Sequence, residues 1–359
     1  MKKIGSLKLG LSFAGCFLGA GYVSGQELWQ FFGSFGTLGV AGLLLALLVL
    51  SAAGVLMLKL NRLTGYDEAD KLILGGKAGI LRHAVTFLEL LLLFCIGTVM
   101  TAGVGALAHQ LLGLPTFVGG LLFASAVAAV SLAGLAGMVS VFSATVPLLC
   151  LISLSFGVYA LCRFGFSVGS SDSVNPLMGS WVSAALSFAS YNLFAGIAVI
   201  APLGRHMKSS RSVFGGVLVG AGILLCVAGS VLLCVSAAPK YADAELPMLA
   251  FASGLSPVLA ALYGVLLLLA MFGTALSNLV GFTSIIFRKS ERIKSHKTLF
   301  TVACAAATVC GSLVGFGDLI GVIYPIFGYC SSVFIVLMIE HYINVRKAGK
   351  TNEKVADKA

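Results

Sequence analysis

Along this chain, long apolar runs alternate with short polar segments, and the runs have the length of a bilayer crossing. A helix of roughly 20 mainly apolar residues spans the hydrocarbon layer. The pattern predicts about ten spans, near 7–33, 36–58, 84–112, 115–134, 138–162, 180–203, 212–237, 256–287, 298–316 and 319–343. A further apolar stretch, 246–254, is expected to lie as a short helix over the outer mouth, ahead of the eighth span. The expected fold is therefore an all-α polytopic membrane protein, with one transmembrane domain over 1–345 and a polar, disordered cytoplasmic tail over 346–359.

Two spans interrupt their own apolar pattern. The first reads Gly15-Cys16-Phe17-Leu18-Gly19-Ala20-Gly21-Tyr22-Val23-Ser24-Gly25-Gln26-Glu27. Each glycine costs a helix about 0.8–1 kcal/mol relative to alanine. Gly15 and Gly19 could serve close helix packing, but Gly19, Gly21 and Gly25 do not share a face, and a polar trio follows. An unwound segment near mid-membrane is the expectation. Such a break frees peptide groups and is tolerated only beside protein or a watery cavity. Amides near Gly21-Tyr22-Val23 would face an anion, and carbonyls near Cys16-Phe17-Leu18 a cation or ammonium group, so that a zwitterion suits the gap. The sixth span carries Ser187, Ser190, Tyr191 and Asn192 near its centre and is the second expected break; Tyr191 and Asn192 either read a ligand or bond neighbouring helices.

Ten spans divide into two sets of five, about 7–162 and 180–343, and an odd number of crossings makes the second set enter from the opposite side. That is the inverted-repeat plan of many secondary transporters. A weak trace supports it: Ser12-Phe13-Ala14, Leu18, Ala20 and Gly21 recur as Ser187-Phe188-Ala189, Leu193, Ala195 and Gly196.

Composition agrees with a lipid solvent. Of 359 residues, 59% are hydrophobic and 10% charged, against about 25% charged in soluble domains. The net charge of +10 would suit nucleic acid, but the basic residues sit between the spans and at the ends. With ten spans, 21 of the 23 lysines and arginines fall on one side, and only Arg163 and Lys240 on the other. The excess of positive charge marks the cytoplasmic face, which places both termini in the cytoplasm. The same loops could also hold anionic lipid. Lys2 and Lys3 followed by Phe13-Ala14-Gly15-Cys16 mimic a lipoprotein signal, but the apolar run continues past Cys16 and nine spans follow. All nine cysteines lie in apolar runs without a C-x-x-C pair, which predicts small buried side chains.

Glu27 is the leading candidate for chemistry. Counted along a helix it lies about eight residues, or ~12 Å, beyond the break, in the outer half of the first span. An intramembrane carboxylate is expensive and functional by default: it can carry a proton, bind a cation or gate the outer path, or else cap a neighbouring helix. Glu89 either faces the inner path or reaches the interface, while Asp318 and Glu340 are expected in solvent at the ends of the tenth span and His109 at the interface near the outer end of the third. Thr98 and Thr101 in the third span are candidate cavity hydroxyls. Thr274, Ser277 and Asn278 fall at i, i+3 and i+4, on one helix face, for ion coupling or for bonds between helices.

The run Gly19 to Glu27, the aromatic residues Trp29, Phe31 and Phe32 after it, Tyr191-Asn192 and the span count resemble the YkvI-like family of bacterial membrane proteins. That family is similar to the amino acid–polyamine–organocation superfamily, with a LeuT-type fold. The resemblance implies a cation-coupled permease for amino acids or related small amines. It places substrate at Gly19, Ala20, Gly21, Tyr22, Ser24, Gly25, Thr98, Thr101, Ser190, Tyr191 and Asn192, with coupling at Glu27, Thr274, Ser277 and Asn278. It also implies a Na+ site from Cys16 and Phe17 with Thr274 and Ser277, although the adjacent Thr-Ser pair of that fold is missing here. The fifth span offers Ser143, Thr145, Ser153 and Ser155 but no lysine to replace sodium, so Na+ and H+ both remain as coupling ions. No H-E-x-x-H or G-x-S-x-G motif suggests an enzyme. The alternative to a transporter is a non-transporting sensor or assembly component on the same fold.

Overall fold

A computed structural model describes residues 4–76, 79–133, 138–165, 175–237, 241–242 and 244–356; for 134–146 and 349–359 no side chain is described. Lys2, Lys3, Lys77, Lys240, Ser143 and Thr145 therefore lie outside the described side chains.

Apolar runs become helices because hydrocarbon offers peptide groups no partner but each other. The first crossing comprises α1 (Ser6–Phe17), α2 (Ala20–Ser24) and α3 (Gln26–Phe32). It continues with α4 (Thr37–Thr64), a short α5 (Ala69–Leu74), α6 (Ile80–Leu112), α7 (Thr116–Ala133) and α8 (Met138–Phe164). The second half holds α9 (Trp181–Ile200), α10 (Ser210–Ala237), α11 (Pro247–Leu255), α12 (Pro257–Lys289), α13 (Glu291–Ser295), α14 (Lys297–Ser312) and α15 (Phe316–Ala356). Among the described residues, eight helices are long and apolar enough to cross a membrane, and α1 and α14 are shorter apolar helices. At 16 residues α14 reaches about 24 Å, and α1 needs α2 and α3 to complete its crossing.

The main helix contacts repeat when each crossing is replaced by the one five further on. The pairing of α1 with α10 matches that of α9 with α4, α8 with α10 matches α15 with α4, and α12 with α8 matches α6 with α15. The pairs α6 with α12, α7 with α14 and α4 with α10 map onto themselves. This is the contact pattern of a five-plus-five arrangement.

Three expectations change. The sixth crossing is not broken: α9 runs continuously through Tyr191 and Asn192 and changes to a 3-10 turn only at Ala201–His206, where Pro202 follows. Its polar side chains bond their own helix, Ser190 Oγ donating to Leu186 O at 2.6 Å and Asn192 Nδ2 to Phe188 O at 3.0 Å. The tail is not disordered in its first part, since α15 continues to Ala356; Lys, Glu and Ala favour helix, and extension of a formed helix adds one bond per residue. The cysteines are not uniformly buried: Cys162, Cys226, Cys310 and Cys330 are exposed, which costs an apolar thiol little in lipid.

The basic side is stitched by polar contacts. Asn61 Oδ1 accepts the Arg205 amide at 3.0 Å, Arg205 pairs with Asp67 at 2.5 Å, and the Ile4 amide donates to His206 O at 2.8 Å. The helix α5, inside a loop the apolar pattern left blank, buries Leu72, Ile73 and Leu74. His341 of α15 holds Leu72 O at 2.7 Å and stacks on Tyr66.

Candidate functional site

Helix α1 stops at Phe17. Leu18 (φ −74°, ψ 56°) and Gly19 (φ −72°, ψ 172°) leave helical geometry, and α2 begins at Ala20. A second break follows at Gly25, whose φ of +87° is a conformation that favours glycine. Ser24 supports this turn: its hydroxyl donates to Gly21 O at 2.9 Å and accepts the Gln26 amide at 3.3 Å. Tyr263 Oη of α12 donates at 2.6 Å to Val23 O, a carbonyl near the end of the short helix.

The turn at Gly25 redirects Glu27. Instead of standing one outer half-span away, its carboxyl folds back beside Gly21: a Cβ on Gly21 would lie 2.6 Å from Glu27 Oε2. Tyr191 Oη donates to Glu27 Oε1, and Asn192 Nδ2 reaches the same oxygen at 3.5 Å. Glu27 is only 5% exposed, and the opening it has is into a cavity.

That cavity has a volume of about 1320 Å³. Its inner end is formed by Gly19, Ala20, Gly21, Glu27, Tyr191 and Tyr324. Its mouth is bounded by Asp67, Glu68, Asp70, Arg82, Arg288 and Lys289, on the side of the basic loops. Two ion pairs bridge residues of that rim, Asp70 with Arg82 at 2.5 Å and Glu68 with Arg288 at 3.8 Å. On the opposite side the described residues make closing contacts. Asn175 Nδ2 donates to Gly321 O at 2.8 Å and to Gln30 Oε1 at 3.2 Å, and the Gly317 amide donates to Glu245 Oε2 at 2.7 Å. Gly321 O is available to Asn175 because Pro325, four residues on in α15, has no amide to offer it. The expected short helix at the outer mouth corresponds to α11, which packs against α2, α10 and α12.

The sequence-predicted residues divide cleanly. Gly19, Ala20, Gly21, Tyr191 and Asn192 line the cavity, as do Glu27, Thr274, Ser277, Asn278, Cys16 and Phe17. Six others do not line it. Tyr22 donates to Leu224 O at 3.1 Å. Ser24 and Gly25 build the second break, and Ser190 bonds its own helix. Thr98 and Thr101 turn toward α14: Thr101 meets Thr308 at 3.4 Å, and a Cβ on Gly311 would lie 2.7 Å from Thr98 Cγ2. The cavity face of α6 is instead Glu89, Leu93, Ile96 and Met100, spaced four, three and four, one helical stripe. Glu89 thus faces the cavity, while His109 and Glu340 are exposed.

For a Na+ ion, Thr274 and Ser277 supply hydroxyls, and the last turn of α1 supplies carbonyls that no helix of its own can satisfy. Oxygen donors of this kind suit a hard cation, and all four residues share the cavity wall. Thr274 Oγ1 also donates to Ala270 O at 3.0 Å, which leaves its lone pairs free. Tyr324 was not foreseen. It stacks on Tyr191 with ring centroids 4.7 Å apart and planes at 27°; the one signal for it was Tyr324-Pro325 inside an apolar span.

No protein-family model matches the chain. It is 28% identical over 332 residues to the uncharacterized membrane protein YkvI of Bacillus subtilis (strain 168), covering 91% of this chain and 93% of that protein. Its fold is similar to that of MhsT solved in complex with L-phenylalanine, with a TM-score of 0.68 at 14% identity, over 96% of this chain and 92% of that one. The inward-facing conformation of Mhp1 gives a TM-score of 0.65 at 16% identity, over 97% of this chain and 78% of that one. Sequence likeness to YkvI runs along nearly the whole chain, and the architecture shared with MhsT and Mhp1 is the LeuT-type fold.

Proposed function

We propose that the protein is a secondary transporter that carries a small amine or amino acid across the bacterial cytoplasmic membrane by alternating access, coupled to Na+ or H+. The observation that carries this reading is a cavity open on the basic-loop side and ended, deep in the protein, by the broken first crossing and the carboxyl of Glu27. With both termini cytoplasmic, as the charge bias argues, the cavity opens inward. A solute enters past the charged rim, meets Glu27, Tyr191 and Asn192, and leaves after the helices exchange the open side for the packed one. The contacts Asn175–Gly321 and Glu245–Gly317 would part in that exchange. Cation coupling has two routes: the Thr274–Ser277 wall with the α1 carbonyls for Na+, and Glu27 for a proton.

Counterflow in proteoliposomes tests the reading. Vesicles loaded with a candidate amine or amino acid, under an imposed sodium or proton gradient, should accumulate the labelled compound. Stabilisation by a compound that is never translocated would assign the protein to sensing instead.

A further inference from the structure

Glu27 is the deepest charged group in the cavity, and half of its carboxyl is unused. Oε1 accepts from Tyr191 and Asn192, whereas no hydrogen bond among the described residues reaches Oε2. Oε2 instead lies against Gly21, on the backbone just past the break. A zwitterionic solute would need to set its own carboxylate against this stretch of freed peptide. The protein has put one of its own there.

The cavity's basic groups are gathered at its mouth. Arg82 and His83 belong to the first turn of α6, and Arg288 and Lys289 to the last turn of α12. Along α12, Arg288 stands ten residues, or about 15 Å, from Asn278. Nearer to Glu27, the wall adds the stacked tyrosines 191 and 324, which bring no positive charge. A carboxyl with a spare oxygen and no positive side chain beside it favours a cationic group over an anionic one.

We propose that the solute is an organic amine carrying no carboxylate, whose ammonium group is held by Glu27 Oε2. This narrows the transporter reading above and rests on it. The carboxyl supplies the negative half that an amino acid would otherwise bring, so that the matching amino acid would place two anions side by side in a site with one spare acceptor.

Matched pairs decide the matter. Thermal unfolding of the purified full chain in detergent is followed with phenethylamine against L-phenylalanine, tyramine against L-tyrosine, and cadaverine against L-lysine, in NaCl and in KCl. At least one amine should raise Tm at a concentration tenfold below any effective concentration of its amino acid, in both salts. Glu27→Gln should abolish that shift. Should this variant not fold, the wild-type pairs still decide. Equal shifts within every pair, or shifts from amino acids alone, overturn the inference while leaving the transporter reading intact. A sodium-induced shift that needs Glu27 and that no amine alters assigns the carboxyl to the ion, and overturns it too. No shift from any amine also overturns it; counterflow of the amino acids then judges the transporter reading by itself.

Discussion

Replacing Gly21 with alanine separates the fold from the site. Gly21 sits in α2 without a positive φ, so a side chain is sterically allowed by the backbone. The new Cβ would stand 2.6 Å from Glu27 Oε2, about 0.8 Å inside the 3.4 Å at which ordinary contact begins, and 3.6 Å from Ile320 Cδ1. The obstacle is the tip of a flexible side chain, which can move aside for about 0.5–1.5 kcal/mol of rotamer strain. Alanine returns roughly 1 kcal/mol of helix propensity. The net change in stability is then within about 1 kcal/mol, and Tm should move by no more than about 2 °C. The site suffers far more. A carboxyl whose Oε2 is pushed by nearly 1 Å loses its alignment with the solute, and bonds to a charged group are each worth about 1.5–3 kcal/mol. Solute affinity should fall about 10- to 100-fold. The assay is a thermal-shift titration beside an unliganded melt, with Gly229→Ala as control, a helical position where nothing lies within 4 Å of the added methyl. Wild-type affinity in Gly21→Ala would refute the placement of Oε2.

Three further outcomes are expected. Tyr263→Phe strips Val23 O of its donor and Ser153 Oγ of its acceptor and should lower stability by about 1–3 kcal/mol, read as a reduced Tm in detergent. Gly105→Ala sets a methyl 2.6 Å from Thr116 O, a backbone atom that cannot rotate away; overpacking of this kind costs about 1–3 kcal/mol, and the melt should show it without any change in ligand preference. In a cysteine-free background, Ser277→Cys should react with a membrane-impermeant maleimide in inside-out vesicles and stay protected in right-side-out ones; the reverse pattern would invert the assigned orientation.

How much could be read beforehand follows from the range of each signal. The interrupted first crossing was legible because four glycines within eleven residues act locally, on peptide geometry. The continuity of α9 was not, because a serine or asparagine in a helix can bond either a ligand or its own carbonyl four residues back, and composition is the same in both cases. Thr98 and Thr101 were misassigned for a related reason: α6 is apolar on every side, so hydropathy carries no information about which face meets the cavity and which meets α14. Tyr324 could not be tied to Tyr191, since 133 residues separate two rings that stack only when α15 packs on α9.

By itself the sequence determined the solvent, the helical class, the orientation bias and the weak point of the first crossing. Each depends on properties that residues hold alone or with near neighbours: hydrophobicity, charge and helix propensity. Only the tertiary structure decided that Glu27 belongs to the cavity rather than to the outer half of a helix. A left-handed turn at one glycine reversed its direction, and residues 164 and 165 positions away supplied its donors. Direction and partnership at such separations are set by packing, which no local pattern records.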